Sequence, residues 1–430
     1  MKWPLSLPSS FGLLIVVTVG LRLVTAPASR EETVDAAMVQ AGKELFVHRW
    51  KPNDPLAKGG DGLGPVFNAD SCVACHKQGG TGGSGPREAN VNTFTVRNQN
   101  SGVGARQGVV HTRAISPEFQ ETFAHVHPGL PANVQAISTT SFSPGAAELT
   151  GWDISNVAFP AGVHLSQRKT PALFGAKLID ETPDRVILAN ERAQQLKWGF
   201  ASPLETTAPV GRALRLADGR VGRFGWKAQT ASLADFVQAA CANELGLGNP
   251  GQAQPQPLGR PGYKAPGFDL TLEQCSQLTA FVKSLPQPVE RLPQSPETVA
   301  AVQAGRKHFS AVGCADCHTP DLEGIKGIYS DLLLHWMGES LEGDGDYNDE
   351  PVESPQFASG AGPHPAEWRT PPLWGVASSA PYLHDGRAAT LAEAIRLHDG
   401  QGADSARRFA RLSAAEQQQL ITFLETLQAP

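Results

Sequence analysis

The pattern Cys-x-x-Cys-His occurs twice, at Cys72-Val-Ala-Cys75-His76 and at Cys314-Ala-Asp-Cys317-His318. Two thiols about one helical turn apart, followed at once by an imidazole, match what covalent attachment of haem c needs. The thiols add to the porphyrin vinyl groups as thioethers, and the histidine is left facing the iron. Zinc knuckles and dithiol redox motifs use similar spacings, but zinc needs four ligands clustered in one site. These two pairs lie far apart in the chain, and each carries the extra histidine. The residues therefore point to two covalent haem c groups, with Cys72, Cys75, Cys314 and Cys317 as anchors and His76 and His318 as proximal ligands. Two haems on one chain imply electron chemistry.

The elements that must hold these groups repeat. Gln40-Ala-Gly-Lys-Glu-Leu-Phe46 precedes the first motif and Gln303-Ala-Gly-Arg-Lys-His-Phe309 the second. Beyond the motifs, Arg168-Lys-Thr-Pro-Ala-Leu-Phe-Gly175 matches Trp368-Arg-Thr-Pro-Pro-Leu-Trp-Gly375, and Trp226-Lys-Ala-Gln-Thr-Ala-Ser-Leu233 matches His384-Asp-Gly-Arg-Ala-Ala-Thr-Leu391. The last two blocks end in helix starts, with Ser232 and Thr390 as expected N-caps. A helical period shows in Val34, Ala37, Met38, Ala41 and Leu45, and again in Val299, Val302 and Phe309. The expected fold is mainly α, with two tandem cytochrome c-like haem domains and long ordered loops. The proline-rich stretch Pro286 to Pro296 separates them, with Ser295 and Pro296 as cap and first turn of the next helix. This gives residues 29–288 for the first domain, with a loop insertion, and 289–430 for the second. The segment from Gly79 to Gly162 reads as elaborated loop with a hairpin near Val91 to Val96.

Haem c is matured outside the cytoplasm, and the N-terminus agrees. Lys2 precedes an apolar stretch from Phe11 to Val24, broken by Arg22 and followed by Ala26 and Ala28. It is shorter than the ~20 residues a bilayer span needs, so residues 1–28 are expected to be a removed signal peptide, leaving no stable membrane span and a periplasmic protein. The net charge of −6 over 430 residues shows no basic excess and gives no reason to expect nucleic acid as a partner. With 44 glycines, 34 prolines and only 18% charged residues, long ordered loops around large apolar cofactors are expected.

Taken together, the segments Arg168 to Asp180, Gly222 to Leu233, Tyr329 to Gly338 and Glu367 to His398 resemble the dihaem oxidoreductase family, also called thiol oxidoreductase, related to bacterial dihaem cytochrome c peroxidases. The resemblance implies one haem that receives electrons and another that meets the substrate. In the peroxidase relatives a glutamine two residues before a Trp-Asp-Gly-Arg stretch, and a glutamate after a following leucine, sit over the peroxide-binding haem. This chain has Phe224 and Ala234 at those positions, with Asp235 one residue further on. Asp235 and Gln229 are left as the nearby candidates for moving a proton.

Whether a haem transfers electrons or catalyses depends on its sixth ligand. His398 stands where the peroxidase relatives carry the methionine of the electron-receiving haem, and its duplicate in the first half is Ala240. Met337 is the alternative to His398, since Met38 lies on an apolar helical face. His335 neighbours Met337 in a stretch read as helical, where the two would face apart and at most one could be a ligand. For the first haem the loop histidines His111, His125, His127 and His164 are candidates, His164 by its symmetry with His364. Arg387 is a candidate propionate partner, and Trp226 and Trp374 are candidate relays. Cys241 and Cys275, the two remaining cysteines, are expected to pair as a structural disulfide. Calcium is used by the peroxidase relatives and stays open here, although the acidic stretch Glu342 to Glu350 lacks EF-hand spacing.

The reading is an exported dihaem oxidoreductase. A small redox protein, a cytochrome or cupredoxin, feeds the second haem, and the first haem meets a small oxidant such as peroxide or another substrate. The alternatives are a pure electron-transfer dihaem cytochrome without catalysis and an oxidase that modifies a thiol or protein.

Overall fold

Helices start where a short polar side chain accepts an otherwise unpaired backbone N–H. The longer helices in this computed structural model are α1 (Ala36–Val47), α2 (Asp184–Trp198), α3 (Leu233–Leu245), α4 (Leu272–Ser284), α5 (Pro296–Ala311), α6 (Leu391–Arg396), α7 (Ala403–Arg411) and α8 (Ala414–Leu424). Ser232 caps α3 by accepting from the N–H of Asp235, and Thr390 caps α6 by accepting from Glu393. Ser295 caps α5, with Pro296 in its first turn. All three caps fall where the sequence places them. The structure describes residues 1, 35–97, 106–132, 136–138, 150–152, 154, 158–199, 207–345 and 362–430. The apolar stretch of the expected signal segment and residues 346–350 of the acidic stretch lie outside the described residues.

The sequence repeat becomes two matching helix crossings. α1 packs on α4, and α5 packs on α8. Capping boxes start both partner helices, Thr271 with Gln274 on α4 and Ser413 with Glu416 on α8. At the closest point of each crossing stands a glycine. A Cβ on Gly42 would lie 1.9 Å from the carbonyl oxygen of Gln277 and 2.9 Å from Cβ of Phe281. A Cβ on Gly305 would lie 1.9 Å from the carbonyl oxygen of Gln419 and 2.9 Å from Cβ of Phe423. The rings beside these contacts are duplicated too. Phe46 meets Phe281 at 5.0 Å between centroids, and Phe309 meets Phe423 at 5.5 Å.

The expected hairpin strand is present but belongs to a larger sheet. Strand β1 (Val91–Val96) lies between β2 (Arg106–Val110) and β3 (Val163–Arg168), antiparallel to both. Phe94, Val96, Val110, Phe123 and Val163 bury a separate apolar cluster beneath it. A second pairing joins β4 (Leu334–Trp336) to β5 (Glu367–Arg369), with His335 opposite Trp368. The stretch around His335 is therefore strand rather than the expected helix. Alternation sends the side chains of residues 335 and 337 toward the same side, not apart.

Residues Asp35–Pro430 form one compact unit. The larger apolar cluster joins Phe46, Leu278 and Phe281 of the first crossing to Ile328, Leu333 and Trp374 from beyond residue 289. A second cluster, with Val302, Phe309, Leu420 and Phe423, fills the second crossing. Among the described residues no helix is long and apolar enough to cross a membrane.

Gly42→Ala and Gly305→Ala are each expected to lower stability by about 1–3 kcal/mol, because the added carbon must push two backbones apart. Urea unfolding of each variant beside the parent protein checks this.

Candidate functional site

Each Cys-x-x-Cys-His segment forms one tight turn that ends on its histidine. The N–H of His76 donates to the carbonyl of Cys72 at 3.0 Å, and that of His318 to the carbonyl of Cys314 at 2.9 Å. The rings are then fixed by a second carbonyl. Nδ1 of His76 is 3.2 Å from the oxygen of Gly83, and Nδ1 of His318 is 3.0 Å from the oxygen of Tyr329. A carbonyl only accepts, so each Nδ1 must carry the proton, and Nε2 keeps its lone pair for a metal. Burial lowers both imidazoles to about 4, which keeps them neutral and able to ligate near pH 7. The four motif cysteines, Cys72, Cys75, Cys314 and Cys317, are all half-buried beside these turns.

Each histidine opens on a largely apolar cavity, of about 150 Å³ at His76 and about 500 Å³ at His318. His398 lines the second cavity together with His318. Its Nδ1 donates to the carbonyl of Ala394 at 2.8 Å, so Nε2 is again left for a metal. Met337 lines the same wall. A Cβ on Gly402 would lie 3.0 Å from Cβ of His398 and 3.1 Å from Cε of Met337, which places both candidates side by side. His335 is committed elsewhere, with Nε2 2.9 Å from Asp331 and Nδ1 2.8 Å from the side-chain oxygen of Gln401. Cys317, Asp331 and His335 form the one close group of metal-type ligands among the described residues, and Cys317 is also a motif cysteine.

The first cavity has Ala240 in its wall where the duplicate alignment has His398 in the second. None of His111, His125, His127 or His164 lines it. His164 lies on β3 opposite Thr95 and outside the wall, which corrects the expectation from symmetry. His111 is held by Glu121 at 3.0 Å. Gln229 does line the cavity. Asp235 does not: it points to solvent from the first turn of α3 and pairs with Arg220 at 3.1 Å, so its expected part in proton movement is withdrawn. Arg387 also lies outside both walls, tied to Asp385 at 2.6 Å and to the carbonyl of Ser340 at 2.7 Å, and is not placed to meet a propionate.

Two other cations fit that part. Lys169 and Arg369 occupy matching positions directly before Thr170-Pro171 and Thr370-Pro371. Both are buried. Burial lowers Lys169 to about 8 and Arg369 to about 10. Among the described residues neither is bonded to a carboxylate. Lys169 reaches the hydroxyl of Ser84 at 2.5 Å, and Arg369 the carbonyl of Gly225 at 2.8 Å. Asp331 acts on Arg369 from a distance without bonding to it. A buried cation without a bonded anion is costly, and a haem carboxylate would supply that partner. Together with the two motifs and the apolar cavities, this makes the residues fit two haems.

The repeats exchange backbone bonds at this point. The N–H of Arg369 donates to the carbonyl of Trp226 at 2.9 Å, and the N–H of Lys169 donates to the carbonyl of His384, the duplicate of Trp226, at 2.7 Å. Trp226 lines both cavities, and Trp374 lines the second. The sequence showed the blocks but not the exchange, because neither sequence position names its partner. Cys241 and Cys275 are separate buried thiols rather than the expected disulfide, and Cys241 lies in the first cavity wall. Of the acidic stretch, Asp344 is engaged by Arg97 at 2.6 Å.

Residues 216–427 match the model of the family described as "Di-haem oxidoreductase, putative peroxidase". Among solved structures, the chain is similar to hydrazine synthase from Kuenenia stuttgartiensis, with 15% identity, a TM-score of 0.42, and coverage of 97% of this chain and 100% of that one. A diheme peroxidase BthA variant from Burkholderia thailandensis gives 15% identity and a TM-score of 0.37 over 91% of this chain and 86% of that one. A MauG-like protein associated with microbial copper homeostasis gives 21% identity and a TM-score of 0.25 over 36% and 52%. No curated protein matches the chain.

In the haem-loaded protein, His398→Ala is expected to convert one low-spin iron to high spin, while Met337→Leu leaves the spectrum unchanged. Electron paramagnetic resonance of both variants checks this, and the reverse result assigns the ligand to Met337.

Proposed function

From the premise that this chain belongs to the di-haem oxidoreductase family, we propose that it is an exported dihaem c-type enzyme whose two irons are held differently. Cys72 and Cys75 anchor the first haem, with His76 as its proximal ligand, and Cys314 and Cys317 anchor the second, with His318. Residues 29–288 and 289–430 are read as tandem cytochrome c-like domains whose cores have merged. The bound haems supply one-electron chemistry. The chain supplies neutral, oriented imidazoles, buried cations for the carboxylates and dry walls.

The observation that carries this reading is the pair His398 and Ala240. Matching wall positions hold a second imidazole in one cavity and a methyl group in the other. Two strong ligands close an iron to substrate and suit it to storing an electron, whereas a missing ligand leaves room for a small molecule. The second site therefore takes electrons from a small redox protein, a cytochrome or cupredoxin, and the first meets a small oxidant or substrate. Trp226, in both walls, is placed to couple them. The signal-like N-terminus and the thioether chemistry support a periplasmic location.

The test is electron paramagnetic resonance of the haem-loaded protein, oxidised and half-reduced. A high-spin signal from the first iron is expected, and Ala240→His is expected to abolish it by adding a sixth ligand. Two low-spin irons in every state would instead mean an electron carrier without a substrate site. Mass spectrometry should find two covalent haems, and one in Cys72→Ala/Cys75→Ala.

A further inference from the structure

The lining of the first cavity includes Ala240 and the apolar side chains of Phe224, Leu233, Phe236 and Val237. The Phe224 and Phe236 rings stand 6.1 Å apart. Most polar side chains in the wall are already spent. Thr170 donates to the carbonyl of Ala89 at 2.8 Å, Thr93 donates to the carbonyl of Asp344 at 3.0 Å, and Glu244 accepts from Asn68 through one of its two carboxylate oxygens at 2.8 Å. The Lys227 ammonium is divided among the carbonyls of His364, Pro365 and Glu367 at 3.1, 2.6 and 2.7 Å. Gln229 and its neighbour Thr230 are the exceptions, with no side-chain hydrogen bond among the described residues. Of the two, the amide has the longer reach and carries two donor hydrogens.

We infer that the Gln229 amide is the hydrogen-bond donor for the ligand of the first cavity, and that this ligand is a small molecule with an acceptor end. An amide orients an acceptor without titrating, so it selects by donation and not by passing a proton. Gln229 is thus a specificity-determining residue of the open site proposed above, and the inference rests on that reading.

Carbon monoxide bound to the fully reduced, haem-loaded protein is the probe, read by the C–O stretching band. A donor close to the bound oxygen lowers that frequency. Gln229→Leu is therefore expected to move the band to higher wavenumber, with Thr230→Val leaving it in place. Ala240→His should remove the band altogether, which assigns it to the first site. A band that ignores Gln229→Leu, or that follows Thr230→Val instead, overturns the role of Gln229 while leaving the open site intact. Absence of any carbon monoxide complex in the parent protein overturns the open site and this inference together. Gln229 has no bond to lose, so the variant is not expected to unfold.

Discussion

Two helix crossings with no side chain at their nearest point set the spacing of the rest of the molecule. At Gly42 and Gly305 one backbone rests directly on a carbonyl of the opposing helix. That approach brings Phe46 onto Phe281 and Phe309 onto Phe423. Phe46 and Phe309 each lie in the wall of their half's cavity. Close packing does not stretch to accommodate a larger group, so the cavity dimensions are inherited from these contacts.

The second constraint joins the halves. The Thr-Pro block of each repeat gives its preceding N–H to a carbonyl of the other repeat, at His384 and Trp226. One block thus contributes twice, once with a buried cation toward the cavity and once with a backbone donor across the interface. The larger apolar cluster crosses the expected domain boundary for the same reason. Two cofactor pockets built this way share a partition, and Trp226 and Phe224 form part of it on both sides.

Much of this was legible in the residues. Ser232, Thr390 and Ser295 announced helix starts because a cap is a local event, decided within three residues. The contrast of His398 with Ala240 followed from the register of the repeat. What failed needed non-local knowledge. Asp235 is one residue past the expected glutamate position, and on a helix one residue turns the side chain by about 100°, enough to deliver it to Arg220 and solvent. Leu332-Leu-Leu-His-Trp336 carries no period that separates helix from strand, and only the distant partner Trp368 makes the segment around His335 a strand. Arg387 is captured by Asp385 two residues away, while Lys169 and Arg369, less conspicuous in sequence, line the cavity walls without a bonded carboxylate among the described residues.

Lys169 lines both cavities. A charge in a common wall acts on both compartments through a medium that screens it poorly. That ammonium would attract added negative charge on either side, whereas Arg369 adds its charge in the second wall alone. The two cavities are consequently coupled through one side chain. A substitution at position 169 would retune both together, and a lasting difference between them has to be written in residues that belong to one wall alone, as His398 and Ala240 do.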